Sequence, residues 1–244
     1  MKKAFIFGID GRMGKMLVQS AADSGYTIVG GFDKTPRDGD IPVYNDTNDI
    51  KVDFDVIIDF SNPYLLSPII ALTERVRKPV VIATTGYNAS ELHAISLLAQ
   101  QVPVFRSGNM SLGIAATKAA AVAAKAVLGD AFDIEIVEKH HNQKLDNPSG
   151  TALLLADALT ARGNQVINRE GKRTHGEVGI TSVRGGGVVG EHEIGFYGED
   201  EIVTISHSAR SRKLFAAGAY KAADFLLTAK PALYDMDDLV KTLL

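Results

Sequence analysis

The sequence predicts an α/β protein in which a doubly wound parallel sheet is followed by a second, mixed α/β domain. Short apolar runs alternate with helix-like segments over the first 110 residues, and the runs are too continuously apolar for strands with one exposed face. Such runs indicate a parallel sheet covered on both faces, and their alternation with helices is typical of βαβ units. After residue 111 the strands alternate apolar and polar residues, which indicates strands with one buried face.

The first domain contains the continuously apolar strands and the helices between them. Helices that separate successive strands carry the chain back across a sheet, so the strands run parallel. The predicted strands are residues 3–7, 27–32, 55–60, 79–84 and 103–107, and the predicted helices are about 12–24, 63–76 and 89–101.

The second part of the chain begins with an alanine-rich helix that Gly129 ends. The strand-like runs at its end are expected to pair antiparallel, because only a few residues connect them. From Lys213 onward the pattern indicates helix again, so we predict one domain formed by 1–110 with 213–244 and another formed by 111–212. The second domain is predicted to contain a strand near 132–140, a helix over 150–162 and strands near 178–184, 188–197 and 201–207.

Composition excludes several classes of function. The net charge of the 244 residues is −3, so no strong positive field marks a nucleic-acid-binding protein. The chain has no cysteine, which excludes disulfides, thiolate metal sites and a cysteine nucleophile. The amino-terminal run MKKAFIFGID resembles a signal peptide for only a few residues. No stretch is expected to approach the ~20 apolar residues of a membrane span, so a soluble cytoplasmic protein is expected.

A glycine loop follows the first predicted strand and opens a helix. In GIDGRMG, Gly8 permits the tight turn, Gly11 lets the backbone approach a pyrophosphate and Gly14 allows close packing of helix on strand. The helix amino terminus then offers free N–H groups to the anion. The spacing is G-x-x-G-x-x-G, so Asp10 stands where the commoner motif has glycine. The loop indicates a Rossmann-type dinucleotide site, and a plain strand-to-helix turn is the alternative.

The end of the second strand bears on the choice of coenzyme. Asp33 lies about where an acidic residue holds the ribose 2′-hydroxyl of NADH. Lys34 follows directly and could face the 2′-phosphate of NADPH. The sequence leaves this choice open, and a solvated loop lysine is the alternative for Lys34. Two further strand ends carry small polar loops, ATTGY at 83–87 and SGNMS at 107–111. Thr84 and Thr85 are interpreted as cofactor contacts, with helix caps as the alternative.

The stretch EKHHNQKLDNPSGTA, residues 138–152, concentrates the remaining chemistry. Histidine is the usual general acid near neutral pH, and Lys144 adds a fixed positive charge. Ser149-Gly150-Thr151 is predicted to start a helix, whose first N–H groups favour a carboxylate. The cluster therefore suits binding and protonation of a small anion. The alternatives are a metal site that includes Glu138 and a strand end with solvated charges. His192 and His207 are expected to be structural or surface histidines.

These segments together resemble the 4-hydroxy-tetrahydrodipicolinate reductase family, also called dihydrodipicolinate reductase. The resemblance rests on GIDGRMG, ATTGY, EKHHNQKLDNPSGTA, SVRGGGVVGEHEIGF and SRKLFAAGA, and it covers nearly the whole chain. It implies NADH- or NADPH-dependent reduction of 4-hydroxy-tetrahydrodipicolinate to tetrahydrodipicolinate in diaminopimelate and lysine biosynthesis. It also implies an amino-terminal dinucleotide domain, a substrate and tetramerisation domain, a closing hinge and a cytoplasmic homotetramer without nucleic-acid or membrane partners.

The resemblance also assigns roles to individual residues. His140 and Lys144 match the catalytic pair, and no metal is implied. The contacts to the substrate carboxylates match His141, Gly150 and Thr151. The cofactor contacts match Gly8, Ile9, Asp10, Gly11, Arg12, Met13, Asp33, Lys34, Ala83, Thr84, Thr85, Ser107, Gly108, Asn109 and Met110.

This chain departs from the family pattern at the cofactor loops. Asp33 stands where glutamate is frequent, Lys34 where arginine is frequent, and Ala83 where glycine is common; alanine is tolerated there if φ is negative. Two rival interpretations remain. One is a nicotinamide oxidoreductase for another small dicarboxylate or imine. The other is a nucleotide sensor, which would bind NAD(H) without needing His140 and Lys144.

Overall fold

The computed structural model describes residues 1–160 and 163–243, which form two compact units. Unit 1 comprises Met1–Ser111 with Arg212–Leu244, and unit 2 comprises Leu112–Ser211. The chain therefore leaves unit 1 once and returns to it once. The dinucleotide-binding and substrate-binding roles assigned to 1–110 with 213–244 and to 111–212 remain predictions.

The elements follow one another along the chain as strands β1–β12 and helices α1–α7. The first part of unit 1 contains β1 (Lys2–Phe7), α1 (Arg12–Ser20), β2 (Tyr26–Phe32), β3 (Val43–Tyr44), β4 (Val56–Asp59), α2 (Leu66–Val76), β5 (Val80–Ile82), α3 (Ala89–Leu98) and β6 (Pro103–Arg106). Unit 2 contains α4 (Leu112–Leu128), β7 (Asp133–His140), α5 (Gly150–Leu159), β8 (Gln165–Ile167), β9 (Val178–Arg184), β10 (Gly190–Tyr197) and β11 (Ile202–Ala209). The return to unit 1 adds α6 (Lys213–Leu226), β12 (Ala232–Tyr234) and α7 (Met236–Lys241).

Unit 1 is built on a seven-stranded parallel sheet in the order β12-β6-β5-β4-β1-β2-β3. The apolar strands bury both faces, and residues such as Phe5, Ile57 and Val80 are fully buried. The strand order reverses between β1 and β4, and ligands of such sheets bind at the carboxyl ends of strands beside this switch. The parallel doubly wound sheet predicted for this part of the chain is confirmed.

The carboxy-terminal return closes unit 1 from the other end of the sequence. Tyr220 of α6 stacks on Tyr26 of β2 with ring centroids 4.8 Å apart, and the Tyr26 hydroxyl donates to Asp224 at 2.6 Å. The expectation of continuous helix from Lys213 is wrong, because β12 follows α6 and pairs with β6. Pro231 cannot continue a helix, and a three-residue strand is too short to show a period.

Unit 2 is a five-stranded mixed sheet in the order β11-β10-β7-β9-β8, with α4 and α5 packed beside it. Ile136, Leu155 and Phe196 are fully buried in its core. The expected antiparallel pairing is confirmed for β10 and β11 and wrong for β9, which is parallel to β7. The glycine-rich linker after β9 bonds the end of β7, since Gly185 N–H donates to the His140 carbonyl at 2.9 Å. β7 thus lies between β9 and β10.

The helix predicted over 150–162 is shorter than expected. α5 ends at Leu159, and Thr160 is extended; Ala161 and Arg162 lie outside the described residues. The short strands β3 and β8 were not predicted, since two or three residues carry no periodic signal.

The sequence was expected to contain no segment as long and apolar as a membrane span, and this expectation is wrong, because one helix has that length and composition. Residues Leu112–Ala131 form 20 helical residues apolar enough to cross a membrane. One such helix is weak evidence for a span, because a helix of a globular core passes the same test. Here α4 packs on α5 and β11. Ala121 is buried in the core of unit 2, and the partly buried Ala124 and Leu128 pack against it, while 22% of the apolar stretch is buried.

Candidate active site

The glycine loop of unit 1 has the geometry that close backbone packing requires. Gly8 adopts φ +78° and its N–H donates to the Phe32 carbonyl at 2.9 Å, which joins the loop to the end of β2. A Cβ on Gly14 would lie 2.2 Å from the Gly8 carbonyl oxygen, so any side chain there would push α1 away from β1. Gly11 caps α1 without a side chain. The amino terminus of α1 is thus open to an anion, as a dinucleotide pyrophosphate needs.

Asp10 and Asp33 are brought together beside this loop. The Asp10 N–H donates to Asp33 Oδ2 at 2.9 Å, and the Lys34 N–H donates to Asp33 Oδ1 at 2.8 Å. Arg37 forms a two-pronged ion pair with Asp10, with N–O distances of 2.7 and 2.8 Å. The hydrogen bond from Arg37 outweighs a small desolvation penalty and lowers the pKa of Asp10. No sequence pattern predicts this pair, because Arg37 lies in the irregular loop between β2 and β3.

The Lys34 ammonium lies 6.0 Å from the centre of the Tyr64 ring, within reach of a cation–π contact. Arg12 is exposed and Met13 is half-buried at the start of α1. Both residues lie in the first turn of α1, directly after the glycine loop. Their contacts with a cofactor remain predictions.

A buried carboxylate organises the loops after β4 and β5. Asp59 is fully buried, and Ser61 donates its N–H to Asp59 Oδ1 at 3.0 Å. Thr84 Oγ1 accepts from the same Ser61 N–H at 2.9 Å, and the Tyr87 hydroxyl lies 3.4 Å from Asp59 Oδ2. Burial raises the pKa of Asp59 to about 6 against the opposing effect of these hydrogen bonds. Thr84 therefore faces a buried network that supports the strand ends.

The remaining loop residues of unit 1 flank this network. Helix α3 begins with a capping box formed by Asn88 and Glu91, so the alternative that Thr84 and Thr85 are helix caps is wrong. Thr85 is exposed, and Ala83 does not have the positive φ that would favour glycine. The Ser107 hydroxyl donates to the Asn109 carbonyl at 2.7 Å and fixes the turn that contains Gly108 and precedes the buried Met110.

In unit 2 the end of β7 forms a carboxylate–imidazole pair. Glu138 and His140 lie two residues apart, so both side chains point to the buried face of the strand. Glu138 is fully buried, and its Oε2 lies 2.5 Å from His140 Nδ1. A carboxylate at Nδ1 fixes the tautomer in which Nδ1 carries a proton and Nε2 faces outward. A Cβ on Gly190 would lie 3.0 Å from Nε2, so glycine there keeps this nitrogen clear.

Glu138 stays ionised because several donors converge on it. Arg184 donates to both of its oxygens, at 2.7 and 2.9 Å, and the Ser149 N–H donates to Oε1 at 3.1 Å. Burial alone would raise the pKa of Glu138, but hydrogen bonds from Arg184, Ser182, His140 and Ser149 lower it to about 2. Sequence reasoning considered Glu138 only as a metal ligand and missed Arg184, which strand register brings opposite His140.

His140 is held as a neutral imidazole. Burial lowers its pKa from the ordinary 6.5, and the positive charges of Lys144 and Arg184 lower it further, while Glu138 opposes them. An anion that offsets these cations would raise the pKa of His140 again. The site is therefore set to take up a proton when an anionic ligand arrives.

His192 was expected to be a structural or a surface histidine. The surface alternative is wrong, because His192 is buried. Its Nε2 lies 3.2 Å from Ser149 Oγ, and its ring meets His140 edge-on with centroids 5.2 Å apart. Burial, followed by the electrostatic interaction with His140, lowers the pKa of His192 to about 4. The register of β10 with β7 places it opposite Glu138. His207, its partner on β11, is half-buried.

The loop after β7 and the start of α5 carry the cationic side of the site. Lys144 Nζ lies 2.8 Å from the Asp146 carboxylate. Burial would raise the pKa of Asp146, but its hydrogen bonds with Lys144 and the Gly150 backbone lower it. Asp146 therefore contacts Lys144 and the Gly150 backbone, which were predicted to hold a substrate carboxylate. His141 is half-buried, and its carbonyl accepts from the Lys144 N–H at 3.1 Å.

Ser149 begins α5 after a cis Asn147–Pro148 peptide bond, and its hydroxyl oxygen accepts from the Ala152 N–H at 3.1 Å. Gly150 and Thr151 follow as the first residues of the helix. A Cβ on Gly150 would meet nothing within 4 Å, so the protein's own packing does not require glycine there. Over residues 1–160 and 163–243, no group of three or more His, Cys, Asp or Glu could hold a metal ion.

Comparison with known proteins shows the family of the chain. A family model described as dihydrodipicolinate reductase, N-terminus, matches residues 2–110, and one described as dihydrodipicolinate reductase, C-terminus, matches residues 113–240. The chain belongs to the dihydrodipicolinate reductase family. Relatives named 4-hydroxy-tetrahydrodipicolinate reductase include one from Caldanaerobacter subterraneus subsp. tengcongensis, 44% identical over 99% of both chains. Another, from Clostridium botulinum, is 41% identical over 98% of both chains.

Solved structures place the fold in the same family. Dipicolinate-bound dihydrodipicolinate reductase from Paenisporosarcina sp. TG-14 has a TM-score of 0.80 and 25% identity, covering 98% of this chain and 99% of that one. A myo-inositol dehydrogenase from Corynebacterium glutamicum has a TM-score of 0.63 and 15% identity, covering 100% of this chain and 93% of that one. The second likeness concerns the fold alone. The family resemblance and the fold class predicted from the sequence are confirmed.

Proposed function

We propose that the protein reduces 4-hydroxy-tetrahydrodipicolinate to tetrahydrodipicolinate with loss of water, using NADH or NADPH, in diaminopimelate and lysine biosynthesis. The observation that carries the proposal is the buried Glu138–His140 pair beside Lys144 and the start of α5. A nucleotide sensor would have no need of an imidazole fixed by an ionised carboxylate. The family to which the chain belongs supports the same conclusion.

The residues of unit 1 fit a nicotinamide dinucleotide. The glycine loop would hold the pyrophosphate at the start of α1, and Asp33 would hold the adenosine ribose. The predicted contacts from the 83–85 and 107–110 loops would line the nicotinamide end. When bound, the coenzyme supplies a hydride; the protein's share is to hold it facing the substrate and to exclude water.

The residues of unit 2 fit a small dicarboxylate. Lys144 and the N–H groups of Gly150 and Thr151 would hold one carboxylate, and His141 would contact the other. The Paenisporosarcina relative was solved with dipicolinate, an aromatic dicarboxylate, which supports this ligand class. Binding requires the substrate to replace Asp146 on Lys144, an exchange of one carboxylate for another.

His140 would supply the proton that completes the reduction. Loss of the hydroxyl group as water leaves a conjugated imine, and hydride addition at ring carbon four moves the electron pair to the neighbouring carbon. That carbon then gains a proton from His140 Nε2, directly or through water. Glu138 keeps Nδ1 protonated and stabilises the imidazolium that donates. One hydride and one proton are added and one water is lost, so the equation balances.

The test is oxidation of NADH and NADPH by purified protein, with substrate formed in the cuvette from pyruvate and aspartate semialdehyde. We expect oxidation that depends on both precursors and falls by about 10² or more in His140→Gln, as loss of a general acid does. Oxidation that does not need this substrate would indicate another dicarboxylate or imine. Coenzyme binding without any turnover on a substrate panel would favour the nucleotide sensor.

We also propose that the protein is a cytoplasmic homotetramer that assembles through unit 2. Exposed apolar side chains on the side of the sheet away from the core support this: Val183, Tyr197 and Ile202 are 44%, 37% and 62% exposed. Tyr197 and Ile202 are direct cross-strand partners, so they share one face. Val183 lies toward the other end of the same face, in register with Lys139. Exposed apolar side chains on a sheet face are typical of a surface that a second copy covers.

A further inference from the structure

Arg37 is committed to an ion pair at the corner of unit 1 where the adenosine ribose would lie. Both of its terminal nitrogens bond the two carboxylate oxygens of Asp10, at 2.7 and 2.8 Å. Two-pronged arginine–carboxylate pairs are the strong kind, and the same fork would fit a phosphate. The guanidinium that could best bind a phosphate here is therefore already occupied by the protein itself.

The position of the pair is fixed by the surrounding backbone. The Asp10 N–H donates to Asp33 at 2.9 Å, and an acidic residue at the end of β2 is where this fold holds the ribose hydroxyls. Arg37 exchanges two backbone hydrogen bonds with Val43, at 3.0 and 2.9 Å. The backbone of Arg37 is thus anchored, and only its side chain is able to turn toward a ligand.

The two coenzymes place different demands on this corner. NADH presents a 2′-hydroxyl, for which the Asp33 carboxylate suffices. NADPH presents a 2′-phosphate with a charge near −2, beside the carboxylates of Asp33 and Asp10. Lys34 offers one positive charge, and it lies over the Tyr64 ring. To use Arg37 as well, the phosphate must take it from Asp10 and leave that carboxylate unpaired next to the pyrophosphate.

We propose that Asp10 is a specificity-determining residue that sequesters Arg37 and so favours NADH over NADPH. Asp10 stands in the glycine loop where the commoner motif has glycine. Through this carboxylate, the glycine loop would distinguish a 2′-hydroxyl from a 2′-phosphate as well as bind the pyrophosphate. The inference rests on the proposed function only in that the coenzyme is taken to bind at the glycine loop.

The test is a double-mutant cycle read by direct coenzyme binding, without substrate. Kd values for NADH and NADPH are measured by calorimetry at fixed salt for the wild type, Asp10→Asn, Arg37→Gln and the double variant. We expect the wild type to bind NADH more tightly. Asp10→Asn should lower the Kd for NADPH by about tenfold, the effect of one charge-assisted contact, and change that for NADH by less than about threefold. The double variant should lose the gain.

Asp38→Asn is the matched control, since it removes an equal charge from the same exposed loop. Its NADPH-to-NADH ratio should stay at the wild-type value. Equal gains for both coenzymes in Asp10→Asn, a gain that survives Arg37→Gln, or wild-type preference for NADPH would each overturn the inference. Failure of the wild type to bind either coenzyme would overturn the proposed function together with it, which distinguishes the two outcomes.

Discussion

Glu138 determines which nitrogen of His140 carries a proton in this structure. Its ionised carboxylate holds the Nδ1 proton, while burial and two nearby cations keep the second nitrogen bare. A donor must be protonated before it can give a proton away. The site thus resembles a general base until an anion arrives, and the two substrate carboxylates would convert it into an acid by offsetting Lys144 and Arg184.

This conversion predicts proton uptake on ligand binding. Dipicolinate binding at pH 7.5 should draw up to one proton from the buffer, because the pKa of His140 lies below 6.5 in the free protein and rises beside a dianion. Calorimetry in buffers with different ionisation enthalpies measures this number. His140→Gln should take up almost none, whereas His175→Gln, which changes an exposed histidine, should match the wild type. Equal uptake by both variants would contradict the role of His140.

Asp59 predicts a pH dependence of stability in unit 1. Its folded-state pKa of about 6 lies above the ordinary 3.8, so the folded protein binds the proton more tightly. This contribution to stability is complete below pH 4 and is lost as pH rises through about 6. Relative to the wild type, Asp59→Asn should gain about 1 kcal/mol in unfolding free energy between pH 5 and 7.5. Urea unfolding at both pH values measures the difference, and a constant difference would rule out the raised pKa.

At this scale the sequence predicts His140 and Lys144 as catalytic residues, because they stand together in one motif. It did not identify Arg184 and His192 as their neighbours. These residues lie more than forty positions away, and only the register of β9 and β10 against β7 brings them to Glu138. Register depends on which strands are neighbours, and the short β9–β10 linker suggested the wrong pairing.

At the scale of elements, the start of α5 serves both the helix and the site. Ser149 caps the helix through the Ala152 N–H, donates its own N–H to Glu138 and contacts His192. The helix terminus is thereby tied to the carboxylate that orients His140. The end of β7 and the start of α5 are consequently bonded to each other, although nine residues separate the two elements in the chain.

A pair of cap substitutions tests this coupling. Ser149→Ala and Asn88→Ala each remove an N-cap side chain, at α5 and at α3, and each should cost about 1 kcal/mol of unfolding free energy. Only Ser149→Ala should also lower kcat/KM, because it alone removes a hydroxyl that contacts His192 and caps the helix terminus whose N–H bonds Glu138. Chemical denaturation and steady-state kinetics of both variants give the two readouts. A similar kinetic loss in Asn88→Ala would show that general destabilisation is responsible.

The elements that the sequence predicted well are the long, continuously apolar or strongly periodic ones, such as β1, β4 and β7. The elements that it missed are β3, β8 and β12, which contain only two or three residues. β5 is equally short, but it lies within the longer apolar run 79–84 that predicted it. A strand of that length is held by its neighbours in the sheet more than by its own side chains. Its existence is decided by tertiary contacts that no local pattern contains.

At the scale of the whole molecule, the proposed tetramer can be tested with one charge on each side of unit 2. Ile202→Glu puts a carboxylate on the exposed face of the sheet, and Val127→Glu puts one on α4, where Val127 is 86% exposed. Light scattering should give about four times 26.1 kDa for the wild type and Val127→Glu, and a smaller mass for Ile202→Glu. A tetramer that survives Ile202→Glu and fails with Val127→Glu would assign assembly to the helical side instead.

The stacking of Tyr220 on Tyr26 has a consequence for biosynthesis. Unit 2 is one uninterrupted segment, Leu112–Ser211, whereas unit 1 is divided between both ends of the chain. A ribosome therefore synthesises the whole of unit 2 before it makes α6, β12 and α7. Until then β6 lacks its outer neighbour, and Tyr26 lacks both Tyr220 and Asp224. The amino-terminal unit is therefore begun first and completed last, with unit 2 synthesised between its two parts.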